Sequence, residues 1–181
     1  MEYLDVVNEE NEFLGKIEDR NSIHEKGLWH REVAVWVLNK KGEVLVQKRA
    51  ATKKQAPNKW AVTAGHIDAG ENPISAAIRE SYEEIGLELK ENDIEFLFIT
   101  KINKKFSECQ YNNHFQYCFC VKTYKKISEF KIQKEELSEI KYISIEDLED
   151  IVNSGDENYV FSKSSYMPQL IENLKHRIYS L

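Results

Sequence analysis

The stretch from residue 65 to 87, GHIDAGENPISAAIRESYEEIGL, constrains this chain more than any other. Asn72 is a good N-cap and Pro73 suits the first helical position, so a helix is predicted to start there. Gly86 can adopt the left-handed backbone that stops it. Between them Ile74, Ala77, Ile78, Ser81 and Ile85 recur at helical spacing and form one mostly apolar stripe. Glu80, Glu83 and Glu84 fall on a different face, within an arc of roughly 100°. Three carboxylates this close repel one another and gain nothing without a cation. Hard divalent ions with oxygen ligands, such as Mg²⁺ or Mn²⁺, suit the cluster. Taken alone, three glutamates are also what a solvated acidic helix face looks like.

A chain of 181 residues suits one domain, 1–181, with a real core. The net charge of −6 argues against a general grip on nucleic acid, which needs a basic stripe. It leaves room for a phosphorylated small molecule, because a bound metal can supply positive charge. No apolar run approaches a membrane span. The N-terminus, MEYLDVVNEE, is acidic and is not a signal peptide. Cys109, Cys118 and Cys120 are an odd number with no zinc spacing, read as reduced thiols of a cytoplasmic protein. Cys118 and Cys120 share one strand face and are expected to be buried. Nothing in the residues decides whether the chain forms a homodimer.

Along the chain, 3–18 reads as two short strands around a polar turn at 8–11. Residues 20–24 lead through a loop to a Val- and Trp-rich strand, 30–38. A turn at 39–42 returns the chain as a strand over 43–49. A loop, 53–58, and a short strand, 59–63, lead into the 65–87 stretch. Strands follow at 94–102, 110–123 and 139–143, with 103–105 read as loop. Ser144 caps a helix over 145–152 with Asp147 closing a capping box. A last helix starts at Ser164 or Ser165 and runs to Tyr179, with Leu170, Leu174 and Ile178 as its stripe. Strands interrupted by one central helix and closed by others predict layered α/β architecture.

The 65–87 stretch resembles the signature of the Nudix hydrolases. The matching residues are Gly65, Glu71, Arg79, Glu80, Glu83, Glu84, Gly86 and Leu87. Ser81 departs, standing where the family usually has an aliphatic residue; its hydroxyl can bond back to the carbonyl one turn earlier. The resemblance implies an α/β/α sandwich around a mixed β-sheet. It also implies hydrolysis of a nucleoside diphosphate linked to another group, with water attacking phosphorus. Glu80, Glu83 and Glu84 would then hold Mg²⁺ or Mn²⁺, with the carbonyl of Gly65 as a further ligand. Glu71 and Arg79 would bridge loop to helix. The general base would come from the helix, Glu83, or from a late loop, where Glu136 is the candidate. A glutamate in the run KEELSE is equally at home on a solvated surface.

Strand alternation sends Lys48 and Arg49 to opposite faces, and Arg49 is the one chosen to hold a phosphate oxygen, since Arg suits two-pronged contact. A sheet-surface salt bridge is the competing role. Trp60, Phe106 and Tyr111 are candidates to stack on a base or, by default, to pack the core.

Residues 30–86 also resemble the isopentenyl diphosphate isomerases, through LWHREVAVWVLNKKGEVLVQKR and TAGHIDAGE. His24, His30 and His66 stand where that enzyme has metal-binding histidines, making a possible second metal site. The isomerase cysteine is replaced by Ala64, and its two late-strand acids align with Asn112 and His114. Alanine cannot move a proton at carbon, nor can asparagine replace a carboxylate. The hydrolase reading, with a small-molecule diphosphate substrate, therefore ranks above an isomerase or a nucleotide sensor.

Overall fold

β3 (Trp29–Asn39) is the spine of the fold. Its even residues Ala34, Trp36 and Leu38 enter one core, and its odd residues Val33, Val35 and Val37 enter another. That is the period-two pattern of a strand buried on both faces. The computed structural model describes residues 2–108 and 110–179. Cys109 lies outside the described residues.

β8 (Gln110–Thr123) runs parallel to β3 in unbroken register from Trp29↔Asn113 to Asn39↔Thr123. On the other edge of β3, β6 (Thr63–His66) pairs antiparallel, from Glu32↔His66 to Val35↔Thr63. β7 (Ile94–Ser107) pairs antiparallel with β8. β4 (Val44–Arg49) leaves β3 after Leu38↔Val44 and carries β9 (Leu137–Ile143) and β5 (Trp60–Ala61). The hairpin of β1 (Tyr3–Val7) and β2 (Phe13–Asp19) joins at Val7↔Trp29. The sheet is mixed.

Helix α2 (Pro73–Ile85) covers the odd face of β3, contributing Ala76, Ala77 and Ile85. Helices α3 (Ile145–Ser154) and α4 (Met167–Tyr179) cover the even face through Leu148, Met167, Leu170 and Leu174. The result is the expected α/β/α sandwich. Cys118 and Cys120 lie buried on the α3/α4 side, and burial pushes both thiols up to about 12, so neither is a thiolate near neutral pH.

Four expectations change. The segment after β2 is a helix, α1 (Arg20–Lys26), capped by Asp19 accepting from Ser22 N–H and stopped by left-handed Gly27. It buries Ile23 alone and so carries no stripe. Residues 103–105 are strand, not loop: Asn103, Lys104 and Lys105 continue the ladder opposite Asn113, Asn112 and Tyr111. This end of β7 is exposed, where polar side chains cost a strand little. The short strand at 59–63 is two pieces, β5 and β6, separated by Val62. On α2, Ile74 and Ile78 are only half-buried, while Ala76 and Glu84 are buried.

Leu170 is fully buried between α4 and the sheet, whereas Leu14 is 57% exposed. Leu170→Ala should cost about 2–5 kcal/mol in urea unfolding, and Leu14→Ala less than about 0.5 kcal/mol.

Candidate active site

The ends of β6 and the middle of α2 meet because residue 65 has no side chain. A Cβ at Gly65 would overlap the Glu80 carboxylate. One turn on, Glu84 is only 7% exposed, beneath the sheet edge. It accepts from Gln47 Nε2 (2.7 Å) and from Ala64 N–H (3.3 Å). Glu83 is the outermost, its side chain 51% exposed. The stretch starts as its sequence prescribes: Asn72 accepts from Ser75 N–H at 2.9 Å, and Gly86 is left-handed. Ser81 is buried and donates to Ala77 O at 2.7 Å, so its hydroxyl is absorbed inside the helix.

Arg79 knits this region together. Its guanidinium donates to both Glu71 oxygens (3.0 and 2.8 Å), to Glu80 Oε1 (2.6 Å) and to the His66 carbonyl (3.0 Å), with Glu83 at 3.4 Å. Glu71 in turn accepts from Asp68 N–H, closing the loop between β6 and α2. Even so, one cation faces several carboxylates. Burial pushes Glu84 up to about 8, against the hydrogen bond from Gln47. Burial also raises Glu80 to about 7, with Arg79 opposing it. The site is short of positive charge, and a divalent cation fits that deficit.

Glu136 lies on the chain entering β9 and lines the same cavity of about 730 Å³. Its carboxylate is ion-paired with Lys53. Arg49, at the end of β4, lines the cavity too, with its Nε donating to Gln55 O at 3.1 Å. Lys48 instead lies over the Trp60 ring. Trp60 is used in packing, stacked on Tyr159 and capped by Lys141. Tyr111 packs against Gly27 and donates to Glu108 O. Phe106, 51% exposed, is the aromatic of the three left facing the cavity.

The three histidines also converge. His24 from α1, His30 from β3 and His66 from β6 have ring centroids 5.1–5.3 Å apart, and His24 Nε2 lies 3.2 Å from His66 Nε2. Glu32, which the sequence reading did not name, and His114, which it named only opposite an isomerase acid, complete the group. Glu32 follows His30 by two residues and so shares its face; His114 sits opposite His30 in the parallel ladder. Glu32 lies 3.3 Å from His30, 3.5 Å from His66 and 3.4 Å from His114. Burial works against the Glu32 charge, but the surrounding imidazoles outweigh it and hold the carboxyl well below its usual range. Burial lowers His114 to about 4, and among the described residues neither of its ring nitrogens has a hydrogen-bond partner. The alternation H-x-E in β3 was the available signal for Glu32. Asn112 donates to Glu32, and Ala64 presents only a methyl group.

The NUDIX domain family model matches residues 28–162. Nudix hydrolase 3 of Arabidopsis thaliana is 31% identical over 164 residues, 88% of this chain but 21% of that longer protein. An uncharacterized Nudix hydrolase of Clostridium acetobutylicum is 31% identical over 81% of this chain and 72% of its own length. Isopentenyl-diphosphate Delta-isomerase 2 of Photorhabdus laumondii is 28% identical over 87% of this chain and 86% of its own length. Among solved structures, a Deinococcus radiodurans protein superposes with TM-score 0.69 over 98% of this chain and 99% of its own, at 22% identity. The NUDIX domain of Shewanella oneidensis NrtR complexed with ADP ribose gives 0.58 over 81% and 86%, at 18% identity.

Arg79→Ala would leave Glu71, Glu80 and the His66 carbonyl short of donors. Urea unfolding should show a loss of about 1–3 kcal/mol. Arg79→Lys should restore only part of it, since an ammonium cannot make the two-pronged contact.

Proposed function

The chain belongs to the Nudix family, and on that premise we propose that it is a divalent-metal-dependent pyrophosphohydrolase cleaving a nucleoside diphosphate joined to another moiety. The observation that supports this most is Glu80 lying against side-chain-free Gly65 with Glu84 held at the neighbouring Ala64 N–H, both carboxyls raised by burial and Glu83 on the same helix. Those carboxylates and the Gly65 carbonyl would hold Mg²⁺ or Mn²⁺. When bound, such an ion neutralises phosphate oxygens and acidifies a water molecule.

The protein's own groups do the rest. Arg49 binds a phosphate oxygen of the diphosphate. Arg79 and Glu71 keep the loop between β6 and α2 in place, so that Gly65 and Glu80 stay in register. Glu83, which is exposed, or Glu136 takes the proton from the attacking water. Glu136 can do so only when Lys53 releases it or shifts toward the substrate. Phosphoryl transfer asks for positioning and charge more than for covalent help, and these residues supply both. The partner is a small molecule; a nucleic-acid polymer and a membrane surface play no part in the reading, which is compatible with a homodimer. No helix among the described residues is long and apolar enough to cross a membrane.

An isomerase is disfavoured by chemistry: Ala64 cannot give or take a proton at carbon, and the Asn112 amide is no substitute for a carboxylate acid or base. We assign His24, His30 and His66 to a second metal site, completed here by Glu32 and His114. Its mainly nitrogen donor set suits a borderline ion such as Zn²⁺ or Co²⁺ over Mg²⁺.

Two experiments test these assignments. Purified protein with Mg²⁺ is offered nucleoside diphosphate sugars, dinucleoside polyphosphates, NADH and isopentenyl diphosphate. Release of a nucleoside monophosphate is expected, and Glu84→Gln should reduce it about 100-fold or more while leaving the far-UV circular dichroism unchanged. Deuterium uptake into the isoprenoid, or thermal stabilisation without turnover, would reject the reading. For the histidine site, Co²⁺ should give visible d–d absorption that His66→Ala abolishes. Free Zn²⁺ at a hundred times Kd should add about 2.7 kcal/mol of stability. Spectra and stability that ignore both ions would remove the second site.

A further inference from the structure

The cavity is lined by Glu80, Glu83 and Glu84 and also by Glu2, Glu32, Asp68 and Glu136, the last ion-paired with Lys53. It continues into an annex of about 570 Å³, and the two share Arg20, Arg49, Lys53 and Lys54. These four cations come from opposite walls: Arg20 from the start of α1, the rest from β4 and the loop after it. Among the described residues one carboxylate, Glu25, lines the annex itself.

The cations are unequally engaged. Arg20 is paired with Glu2, and Lys53 with Glu136. Arg49 is half-buried and, among the described residues, spends only its Nε, on the neutral carbonyl of Gln55. Lys54 is exposed and has no ion-pair partner among the described residues. Arg49 and Lys54 line one annex in a chain of net charge −6, and an anion bound there would answer both.

Resting on the hydrolase reading above, we infer that the substrate carries at least one phosphate beyond the diphosphate that is cleaved. That extra phosphate sits in the annex between Arg49 and Lys54. A neutral sugar or nicotinamide offers these side chains no countercharge, whereas a phosphate accepts from the free arm of the Arg49 guanidinium and from the Lys54 ammonium. The chemistry is the same whether the phosphate extends the chain or branches from a sugar, and the test separates the two.

Calorimetric Kd values with Mg²⁺ are compared for two matched pairs. ADP against adenosine 5′-tetraphosphate probes chain extension; ADP-ribose against its 2′-phosphate probes branching. The phosphorylated member of at least one pair should bind about tenfold tighter or more. Lys54→Glu should cut that ratio by about fivefold or more. Lys41→Glu, the same charge change on the exposed turn after β3, should leave the ratio unchanged. Ratios near one in both pairs, or ratios that Lys54→Glu leaves intact or Lys41→Glu lowers equally, overturn the inference. Monophosphate release is followed in the same samples. An intact, Lys54-dependent ratio without release sinks the hydrolase reading alone, and release with flat ratios sinks the annex alone.

Discussion

Gly65 and Glu80 occupy one space, and the rest of the site follows from that. Without a side chain at residue 65, α2 can lie close enough to β6 for a carboxylate to fill the gap. A carboxylate there is poorly hydrated, which is why its protonation is raised. Arg79 offsets part of the cost, and Glu71 locks Arg79 in place from the loop. The same guanidinium holds the His66 carbonyl, so helix, loop and strand are tied at one group. Among the described residues Glu84 has no such cation and relies on Gln47 and a backbone amide. The hydrogen bonds orient it without neutralising it.

β6 then divides the chemistry. Gly65 and His66 are neighbours in a strand, so they face opposite sides of the sheet. The Gly65 side belongs to α2 and its glutamates. The His66 side belongs to β3, β8 and α1, which deliver His30, Glu32, His114 and His24. Shifting β6 by one residue against β3 would exchange these faces and destroy both clusters at once. The four ladder pairs from Glu32↔His66 to Val35↔Thr63 therefore guard more than the strand's own stability.

What was legible in the sequence had local causes. The cap at Asn72, the stop at Gly86, the capping box at Ser144 and the alternation in β3 are each encoded within a few residues, and each is found. α1 escaped because seven residues burying only Ile23 leave no periodicity to read; Asp19 and Gly27, its two caps, were the remaining clue. The end of β7 escaped because its ladder, not its side chains, makes it a strand. In the site, spacing along α2 put three glutamates on one arc, yet helical geometry alone cannot say that Glu84 turns inward while Glu83 stays in solvent. That depends on where the sheet lies. Glu32 and His114 were hidden for the same reason: their meeting is a matter of register between β3 and β8, whose paired residues are 84 positions apart at His30↔His114.

The two clusters differ in donor chemistry, and this bears on how such a protein sorts ions. Carboxylates and a carbonyl favour hard ions that keep part of their water. Imidazoles favour borderline ions and must be neutral to bind them. His114 is kept neutral by burial, and Glu32 stays ionised among the rings, which is the protonation pattern that a nitrogen-rich site requires. The glutamates have the opposite character: burial raises Glu80 and Glu84, so an ion entering there would displace protons from them. Because Gly65 and His66 are adjacent, whatever fixes one cluster also fixes the backbone of the other. Arg79 ties them further, since one guanidinium holds both Glu80 and the His66 carbonyl, and side chains of both clusters line the same cavity.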